Sequence, residues 1–345
     1  MATGRKYDAR NPKLDCVTCA AHGKFIVKNE DGFYNKFKVI VSTIGTVCRI
    51  SVPAGHFQFI IIDEAGQATE PDSWIPLGQF GNAATKFVLA GDPRQLGPVL
   101  IKPVWANPRY RYDQSLLRRL SEQDEYKSDC RLMVQLCKNY RSHQAIVTIA
   151  SNLFYDGKLV PTFPKDSECF EKNKFLEEIG MTFPIYFHAV QGQERGRREF
   201  HNDEEISVVK RHVQKLLDPL STPKLCPGDI GIVSPYNCQA EKLAKELSQY
   251  ADLTIGTVET FQGSERRVVI MTTTRTRHIG FLKDRRRLNT AITRAKQLLI
   301  IVGDPTLLQQ DASWFEIIRC LQRINCFFVE PGHFKNINLN LDSPK

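Results

Sequence analysis

The 345-residue sequence predicts an α/β fold with two parallel-sheet domains. Short apolar runs alternate with amphipathic stretches of helical spacing, which is the pattern of strands joined by crossover helices in a parallel sheet. The length fits about two domains of ordinary size. The hydrophobic content of 42% and the charged content of 25% are those of a globular protein, which argues against extensive disorder.

The predicted domain boundaries divide the chain into four parts. They are an irregular segment at 1–36, a partial first domain at 37–130, a second domain at 131–330 and a tail at 331–345. In the first domain, apolar runs followed by turn residues predict strands at 38–42, 57–62 and 86–90. Leucines at helical spacing predict a helix at 115–120.

The second domain contains a longer series of the same pattern. Apolar, β-branched runs predict strands at 132–136, 185–188, 230–233, 253–258, 268–272 and 298–302. Amphipathic stretches between them predict helices at 143–154, 203–217, 237–250, 287–296 and 314–324. This domain therefore looks complete, whereas the first is expected to have a sheet of about three strands.

The formal net charge of +9 favours a polyanionic partner, most simply a nucleic acid. No apolar run resembles a signal peptide or reaches the roughly 18 residues of a membrane span, so we expect no membrane partner. Ten cysteines without framework spacing are typical of a reducing cytoplasm. Cys16 and Cys19 form one C-x-x-C pair, but free thiols are favoured over zinc because no second pair completes a ligand set. Nothing in the sequence indicates an oligomer.

Two adjacent carboxylates follow the apolar run at 57–62. Asp63 and Glu64 would lie at the carboxyl end of a parallel strand, where open α/β sheets bind their ligands. The pair predicts a nucleoside triphosphatase site in which Asp63 holds Mg²⁺ and Glu64 orients or deprotonates the attacking water. A capped strand end without chemistry is the structural alternative.

Three polar side chains extend this hypothesis. Gln95 follows a Gly-Asp-Pro turn at 91–93, where its amide can donate to a terminal phosphate and lose that partner on hydrolysis. Arg141 precedes Ser142, which is the predicted N-cap of the next helix. Arg294 is expected on a packed helix, pre-positioned for bidentate phosphate contact. The structural alternatives are a plain turn and solvated arginines.

A glycine turn follows the predicted strand at 253–258. Gly263 would let the backbone approach a ligand closely, and Glu265 can accept a hydrogen bond from a ribose hydroxyl. Both are therefore candidates for nucleotide binding, although each signal is weak when taken alone.

In this order, the motifs resemble those of superfamily 1 RNA helicases of the up-frameshift type. The resemblance covers residues 38–310, and the segments that match motifs II to VI are 63–67, 91–95, 140–143, 261–263 and 291–295. Variants at 70–71, 95–99, 138–143 and 280–282 are most similar to the Moloney-leukaemia-virus-ten and Armitage branch.

The resemblance implies two RecA-like domains with a P-loop NTPase fold, ATP in the cleft and single-stranded RNA across the top. It implies that Asp63 and Glu64 serve Mg²⁺ and water. It also implies that Gln95 contacts the γ-phosphate and that Arg141 and Arg294 stabilise transition-state charge. Contact with the RNA backbone is implied for Ser42, Thr43, Pro235, Tyr236 and Thr257.

The activity that the resemblance implies is RNA-stimulated ATP hydrolysis with 5′-to-3′ polarity, in small-RNA gene silencing. The implied partners, besides RNA, are silencing ribonucleoprotein factors. The implied location is the cytoplasm, with ribonucleoprotein granules as a further possibility. Sequence preference should be low, because affinity in such complexes comes from phosphate contacts and base stacking.

One departure from the family pattern concerns the phosphate site. No G-x-x-x-x-G-K-S/T loop precedes Asp63, so the backbone cradle, its lysine and one Mg²⁺ ligand are missing from these residues. We expect the chain to be the C-terminal part of a helicase, as a fragment, an isoform or an incomplete gene model. Its first domain should be truncated at the N-terminus and leave an apolar face exposed. The alternative is a catalytically inactive module that binds RNA or silencing factors.

Overall fold

The computed structural model describes residues 18–21, 24–27, 33–100, 109–162, 183–197, 199–219 and 224–334. The chain divides into two compact units, the first formed by 1–93 with 97–133 and the second by 94–96 with 134–345. The thiols of Cys16 and Cys19, and most of the tail at 331–345, lie outside the described residues.

The first unit contains few regular elements. Its strands are β1 (Thr18–Ala21), β2 (Lys24–Val27), β3 (Phe59–Ile62) and β4 (Lys86–Leu89). Its helices are α1 (Ile44–Val47), α2 (Glu70–Phe80), α3 (Leu116–Ser121) and α4 (Asp124–Ser128), with a 3₁₀ turn at Phe33–Lys36. β1 and β2 form an antiparallel hairpin, and β3 pairs with β4 in parallel.

The β3–β4 sheet has one buried and one bare face. Ile60 and Ile62 of β3 are buried, and Ile60 belongs to a small core that includes Phe80 of α2. The alternate residues Phe59 and Ile61 are exposed, Ile61 by 64% of its surface. Since side chains alternate between the two faces of a strand, Phe59 and Ile61 share the exposed face with Val88 and Lys86 of β4, and Lys86 Nζ lies 5.3 Å from the Phe59 ring centroid. Most of this face is therefore apolar and solvent-exposed, as expected from the sequence.

The strand predicted at 38–42 is wrong. This segment is described throughout and has no regular structure, and Val39 and Val41 are both exposed. The β-branched run Val39–Val41 suits a strand, but the segment has no ladder of backbone hydrogen bonds to β3 or β4. The described sheet of the first unit therefore has two strands, β3 and β4, rather than about three.

The second unit is built around a six-stranded sheet. Its strands are β5 (Lys138–Asn139), β6 (Val160–Pro161), β7 (Ile185–Ala189), β8 (Ile230–Ser234), β9 (Thr254–Thr257), β10 (Arg266–Thr272), β11 (Ala295–Gly303) and β12 (Phe327–Val329). The main sheet has the order β12-β7-β11-β10-β8-β9, and every pairing in it is parallel. β5 and β6 form a separate short parallel pair.

Helices cover this sheet and complete the α/β architecture. They are α5 (Gln144–Phe154), α6 (Asp203–Leu216), α7 (Asn237–Glu246), α8 (Arg285–Ile292), α9 (Pro305–Leu308) and α10 (Ala312–Arg323), with 3₁₀ turns at Pro227–Asp229 and Gly280–Lys283. β7 and β8 are buried along their whole length, which explains their continuous apolar runs. In the described part of the chain, no helix is both long enough and apolar enough to cross a membrane.

Two elements predicted for the second domain need correction. The run at 132–136 forms no strand, and Leu132, Val134 and Leu136 all face solvent. The helix predicted at 287–296 begins earlier and ends earlier, because α8 spans Arg285–Ile292 and β11 already begins at Ala295. Arg294 therefore lies between a helix and a strand.

Candidate functional site

The predicted catalytic carboxylates form the turn that follows β3. Asp63 and Glu64 are both exposed, and Glu64 has a φ of +52°, a conformation that non-glycine residues rarely adopt. The Glu64 N–H donates to Asp63 Oδ1 at 3.0 Å, and Gln67 Nε2 donates to Glu64 Oε2 at 3.0 Å. Local hydrogen bonds thus orient two carboxylates that stay open to solvent.

Two glycines allow this turn to pack against the loop after β4. The Ala65 N–H donates to the Ala90 carbonyl at 2.8 Å. A Cβ on Gly66 would lie 2.9 Å from the Asp92 carbonyl oxygen, and Gly91 has a φ of +152°. The loops that end β3 and β4 are therefore in direct backbone contact, which a side chain at either glycine would disturb.

The donor set of the first unit fits one particular kind of Mg²⁺ site. Among the described residues, no three His, Cys, Asp or Glu side chains are grouped as metal ligands. Protein-bound Mg²⁺ at nucleotide sites commonly uses one or two carboxylates, with phosphate and water oxygens completing its octahedron. Asp63 with Glu64 fits that arrangement and does not fit a cage made of protein ligands alone.

Arg294 lies in the second unit and is firmly held. Its side chain is 4% exposed, and its Nε donates to the Thr290 carbonyl at 3.0 Å. One terminal nitrogen lies 3.5 Å from the Ser264 carbonyl, and the other donates to Gln95 Oε1 at 2.7 Å. Although it lies beyond the helix on which it was expected, its guanidinium is fixed by acceptors on three segments.

The segment that carries Gln95 is anchored to α8. The Leu96 N–H donates to Thr290 Oγ1 at 3.1 Å, and Asn289 Nδ2 donates to the Arg94 carbonyl at 2.9 Å. Residues 94–96 belong to the second unit for this reason. The contact between Gln95 and Arg294 is thus supported by the backbone on both sides of Gln95.

Arg141 is joined to the same region through a carboxylate. Arg141 Nε forms an ion pair with Glu265 Oε2, and Lys296 Nζ lies 2.8 Å from Glu265 Oε1. Partial burial acts to raise the pKa of Glu265, but hydrogen bonding and attraction from Lys296 and Arg141 hold this pKa below its ordinary value. Glu265 therefore neutralises two cations here, and its predicted contact with a ribose would require an exchange of partners.

The loop before α5 positions Arg141 differently from the sequence prediction. Ser142 is not the N-cap, because its hydroxyl donates to the Ala295 carbonyl at 2.7 Å. His143 takes that place, and its Nδ1 accepts from the Ala145 N–H at 3.1 Å. Sequence alone could not distinguish the two candidates, because both side chains can accept a hydrogen bond from a backbone N–H of the first helical turn. The consequence is that the loop of Arg141 is tied to β11.

The second unit thus brings four predicted residues into one chain of contacts. We call Gln95, Arg141, Glu265 and Arg294 the arginine cluster. Arg294 contacts Gln95 and the Ser264 carbonyl, and the next residue, Glu265, pairs with Arg141. Gly263 lies in the same turn with a φ of +68° and open space around it, so glycine is favoured there by the backbone conformation.

The residues assigned to RNA contact by resemblance differ in accessibility. Ser42 and Thr43 are exposed in the first unit, where each hydroxyl lies 2.8 Å from Thr46 Oγ1. Pro235 and Thr257 follow or end strands of the second unit and are half-buried. The fifth residue, Tyr236, is buried.

Tyr236 is only 7% exposed, so its ring serves mainly as packing. Its hydroxyl accepts from a terminal nitrogen of Arg275 at 3.0 Å. Arg275 is itself buried, forms an ion pair with Glu194 at 2.8 Å, and places its guanidinium carbon 4.0 Å from the ring centroid of Phe200. Sequence reasoning missed this network, because no motif relates Glu194 to Arg275.

A second buried group was also missed. Glu205 on α6 is fully buried and accepts from the N–H groups of Thr273 (3.0 Å) and Thr274 (2.9 Å), and from the Thr272 hydroxyl. Burial raises its pKa to about 7, against the opposing effect of these donors. Glu205 satisfies the backbone at the carboxyl end of β10. Nothing in the acidic run 203–205 distinguishes it from its neighbours.

The fold and the order of these residues define an α/β protein of the helicase type. A family profile described as "AAA domain" matches residues 112–306, and a second profile with the same description matches residues 21–103. The first match covers more than half of the chain. The chain belongs to this family, within the up-frameshift type of superfamily 1 RNA helicases.

Several named relatives are similar over most of the chain. "Putative helicase mov-10-B.1" of Danio rerio is 38% identical over 83% of this chain and 32% of its own length. "RNA helicase Mov10l1" of Homo sapiens is 37% identical over 80% and 25%, respectively. "Probable RNA helicase armi" of Drosophila melanogaster is 30% identical over 83% and 26%. The chain spans about a third or less of the length of these relatives.

Among solved structures, a PRRSV helicase matches 71% of this chain and 34% of its own. The sequence identity is 17% and the TM-score is 0.34. A likeness at this level carries no argument about the site.

Proposed function

We propose that this chain is the part of an ATP-dependent RNA helicase that binds single-stranded RNA and contributes most of the groups for ATP hydrolysis. The observation that carries the proposal is the arginine cluster, in which two arginines from distant parts of the sequence are linked through one short turn. Neither a plain turn nor a solvated arginine would require such a set of contacts.

The chemistry proposed for the second unit is electrostatic. Phosphoryl transfer spreads negative charge over the equatorial oxygens, and fixed guanidinium groups stabilise that charge without reorganising. Arg294 meets this requirement because it is buried and held by Thr290, Ser264 and Gln95. Gln95 would act as a sensor of the terminal phosphate of ATP. A change in the orientation of its amide would move the oxygen that accepts a hydrogen bond from Arg294.

The proposed role of the first unit is to provide carboxylates. Asp63 would hold Mg²⁺, which supplies charge neutralisation on the phosphate oxygens when it is bound. Glu64 would orient or deprotonate water, and its backbone conformation at φ +52° is a strain of the kind found at functional sites. Gln67 fixes the Glu64 carboxylate by donating to one of its oxygens.

The proposed contacts are to RNA phosphates and bases, and they do not depend on the base sequence. The net charge of +9 supports binding to a polyanion, and the exposed hydroxyls of Ser42 and Thr43 suit phosphate oxygens. Translocation in the 5′-to-3′ direction, a role in small-RNA silencing, silencing-factor partners and a cytoplasmic or granule location are proposals that rest on the resemblance to the Armitage branch.

The bare face of the β3–β4 sheet favours a second candidate function. Phe59 and Ile61 present an apolar surface of the kind that binds proteins. A module that docks silencing factors through this face, without catalysis, is the alternative.

Binding of labelled single-stranded RNA at several salt concentrations tests the RNA part of the proposal. We expect the logarithm of the affinity to fall linearly with that of salt, with a slope of roughly −0.7 for each phosphate contacted. The absence of binding even at low salt would leave the protein-docking function as the better account.

A further inference from the structure

Phe281 is an exposed aromatic side chain on the second unit. It lies in the 3₁₀ turn Gly280–Lys283 and is 57% exposed. More than half of the surface of this apolar ring is therefore in water and is not stabilised by burial. Isolated phenylalanines are common on protein surfaces, but Phe281 is held in place by its neighbours.

The turn that carries Phe281 is fixed on both sides of the ring. The next residue, Leu282, is buried, and its carbonyl accepts from the indole Nε1 of Trp314 at 2.8 Å. The Asp284 N–H donates to the Phe281 carbonyl at 3.1 Å, and Gly280 adopts a φ of +52°. The ring is therefore presented to solvent by an anchored segment and not by a free loop.

A guanidinium group packs over the Phe281 ring. The Arg287 guanidinium carbon lies 4.7 Å from the ring centroid, and a terminal nitrogen of Arg287 pairs with Glu259 at 2.9 Å. Glu259 lies two residues after Thr257, one of the residues assigned to RNA contact. The exposed cations Arg277 and Lys283 flank Phe281 in the chain.

The ring also lies beside a packed aromatic network. Tyr236 is 6.1 Å from Phe281 between ring centroids, at an interplanar angle of 42°. Tyr236 is held in turn by the Arg275 hydrogen bond and by an edge contact with Phe200 at 5.5 Å. Tyr236 is buried and Phe200 is partly buried, so Phe281 is the most exposed of these three rings.

We propose that Phe281 is a stacking platform for a base of single-stranded RNA. An anchored aromatic ring with a guanidinium against it and cations beside it is the combination that binds unpaired bases without reading their sequence. This inference rests on the proposed RNA-binding function and adds to it a contact that Tyr236 cannot make. Arg287 completes the platform by packing against the ring, while the exposed Arg277 and Lys283 supply positive charge for the backbone of the bound strand.

The test is the affinity of the full chain for a fluorescently labelled oligouridine of twelve nucleotides. A stacked base contributes about 1–3 kcal/mol, so Phe281→Ala should weaken binding by about 5- to 150-fold. Phe281→Tyr keeps a ring of the same shape and should bind within about twofold of the wild type. Since the side chain is exposed, the thermal midpoint of Phe281→Ala should be unchanged.

The matched control is Phe183→Ala. Phe183 is an exposed phenylalanine of the same unit that precedes β7, at the amino edge of the sheet, whereas Phe281 follows β10 at the carboxyl edge. Phe183→Ala should bind RNA like the wild type. A second strand in which the bases are replaced by abasic residues should bind wild type and Phe281→Ala alike.

The outcomes separate this inference from the function on which it rests. If the wild type binds the oligouridine and Phe281→Ala binds within twofold of it, RNA binding stands and the stacking platform is wrong. If the wild type does not bind, both fail. Equal losses for Phe281→Ala with the normal and the abasic strand would also overturn the inference, because the ring would then act on the backbone or on the fold.

Discussion

Trp314→Phe should destabilise the second unit and loosen the turn of Phe281. Trp314 is fully buried on α10, and its indole nitrogen donates to the Leu282 carbonyl. Phenylalanine keeps one ring and removes the other, so the change both opens a cavity and leaves the buried Leu282 carbonyl without its donor. The two effects fall on the same contact between α10 and the turn.

The expected loss can be worked from its two parts. Removing part of a fully buried indole costs about 2 kcal/mol in transfer and cavity energy. A buried carbonyl that loses its hydrogen bond costs about 1–3 kcal/mol more. We therefore expect a destabilisation of about 3–5 kcal/mol. With a urea dependence of about 2 kcal/mol per molar, the midpoint should fall by roughly 1.5–2.5 M.

The assay is urea unfolding followed by far-UV circular dichroism, with Trp74→Phe as the control. Trp74 lies on α2 of the first unit and is 46% exposed, and its Nε1 lies 3.4 Å from a Glu70 oxygen at the surface. Trp74→Phe should change the free energy of unfolding by less than about 0.5 kcal/mol. Equal midpoints for the two variants would refute the reasoning, because Trp314 would then not be a packed anchor.

Three further perturbations test other parts of the structure. Glu194→Ala should cost about 3–5 kcal/mol, measured by urea unfolding, because it leaves the Arg275 guanidinium buried without its partner; a loss below 1 kcal/mol would contradict this. Burial lowers the pKa of His188 to about 4 despite its bond to Glu330, so its contribution to stability is present above pH 6.5 and lost as pH falls towards 4. His188→Gln should therefore reduce the fall of the thermal midpoint between pH 6.5 and 4. If the variant shows the same pH dependence as the wild type, groups other than His188 cause that fall. Ile61→Thr should raise the concentration at which the chain aggregates, by light scattering, without lowering the midpoint, and a large loss of stability would show that this face is covered.

The sheet of the second unit could be predicted from sequence because its strands are buried on both faces. Runs such as 230–233 and 298–302 are continuous and apolar, and a half-exposed element would not show that pattern. The edge strand β12 was missed, since three residues at Phe327–Val329 carry too little periodicity. The short runs at 38–42 and 132–136 were wrongly predicted as strands, because an apolar run without a pairing partner does not make a strand.

The candidate site could be predicted in kind but not in detail. The residue types and order of the motifs indicated a carboxylate pair and two arginines, and the structure brings the arginines together. The partners that hold the two arginines were not predictable from sequence. Ser264 and Thr290 accept through their backbone carbonyls, and Glu265 forms an ion pair with Arg141. Motifs record which side chains are present, whereas hydrogen bonds depend on the tertiary contacts between them.

RNA-stimulated ATP hydrolysis by the purified 345-residue chain, with Glu64→Gln as the control, tests the central claim most directly. The claim is that the chain holds catalytic carboxylates and arginines and binds RNA, but lacks the loop that cradles the phosphates. We predict turnover no higher than that of Glu64→Gln, with or without RNA. Substantial RNA-stimulated turnover that Glu64→Gln abolishes would contradict the account and would show that other residues of this chain cradle the phosphates.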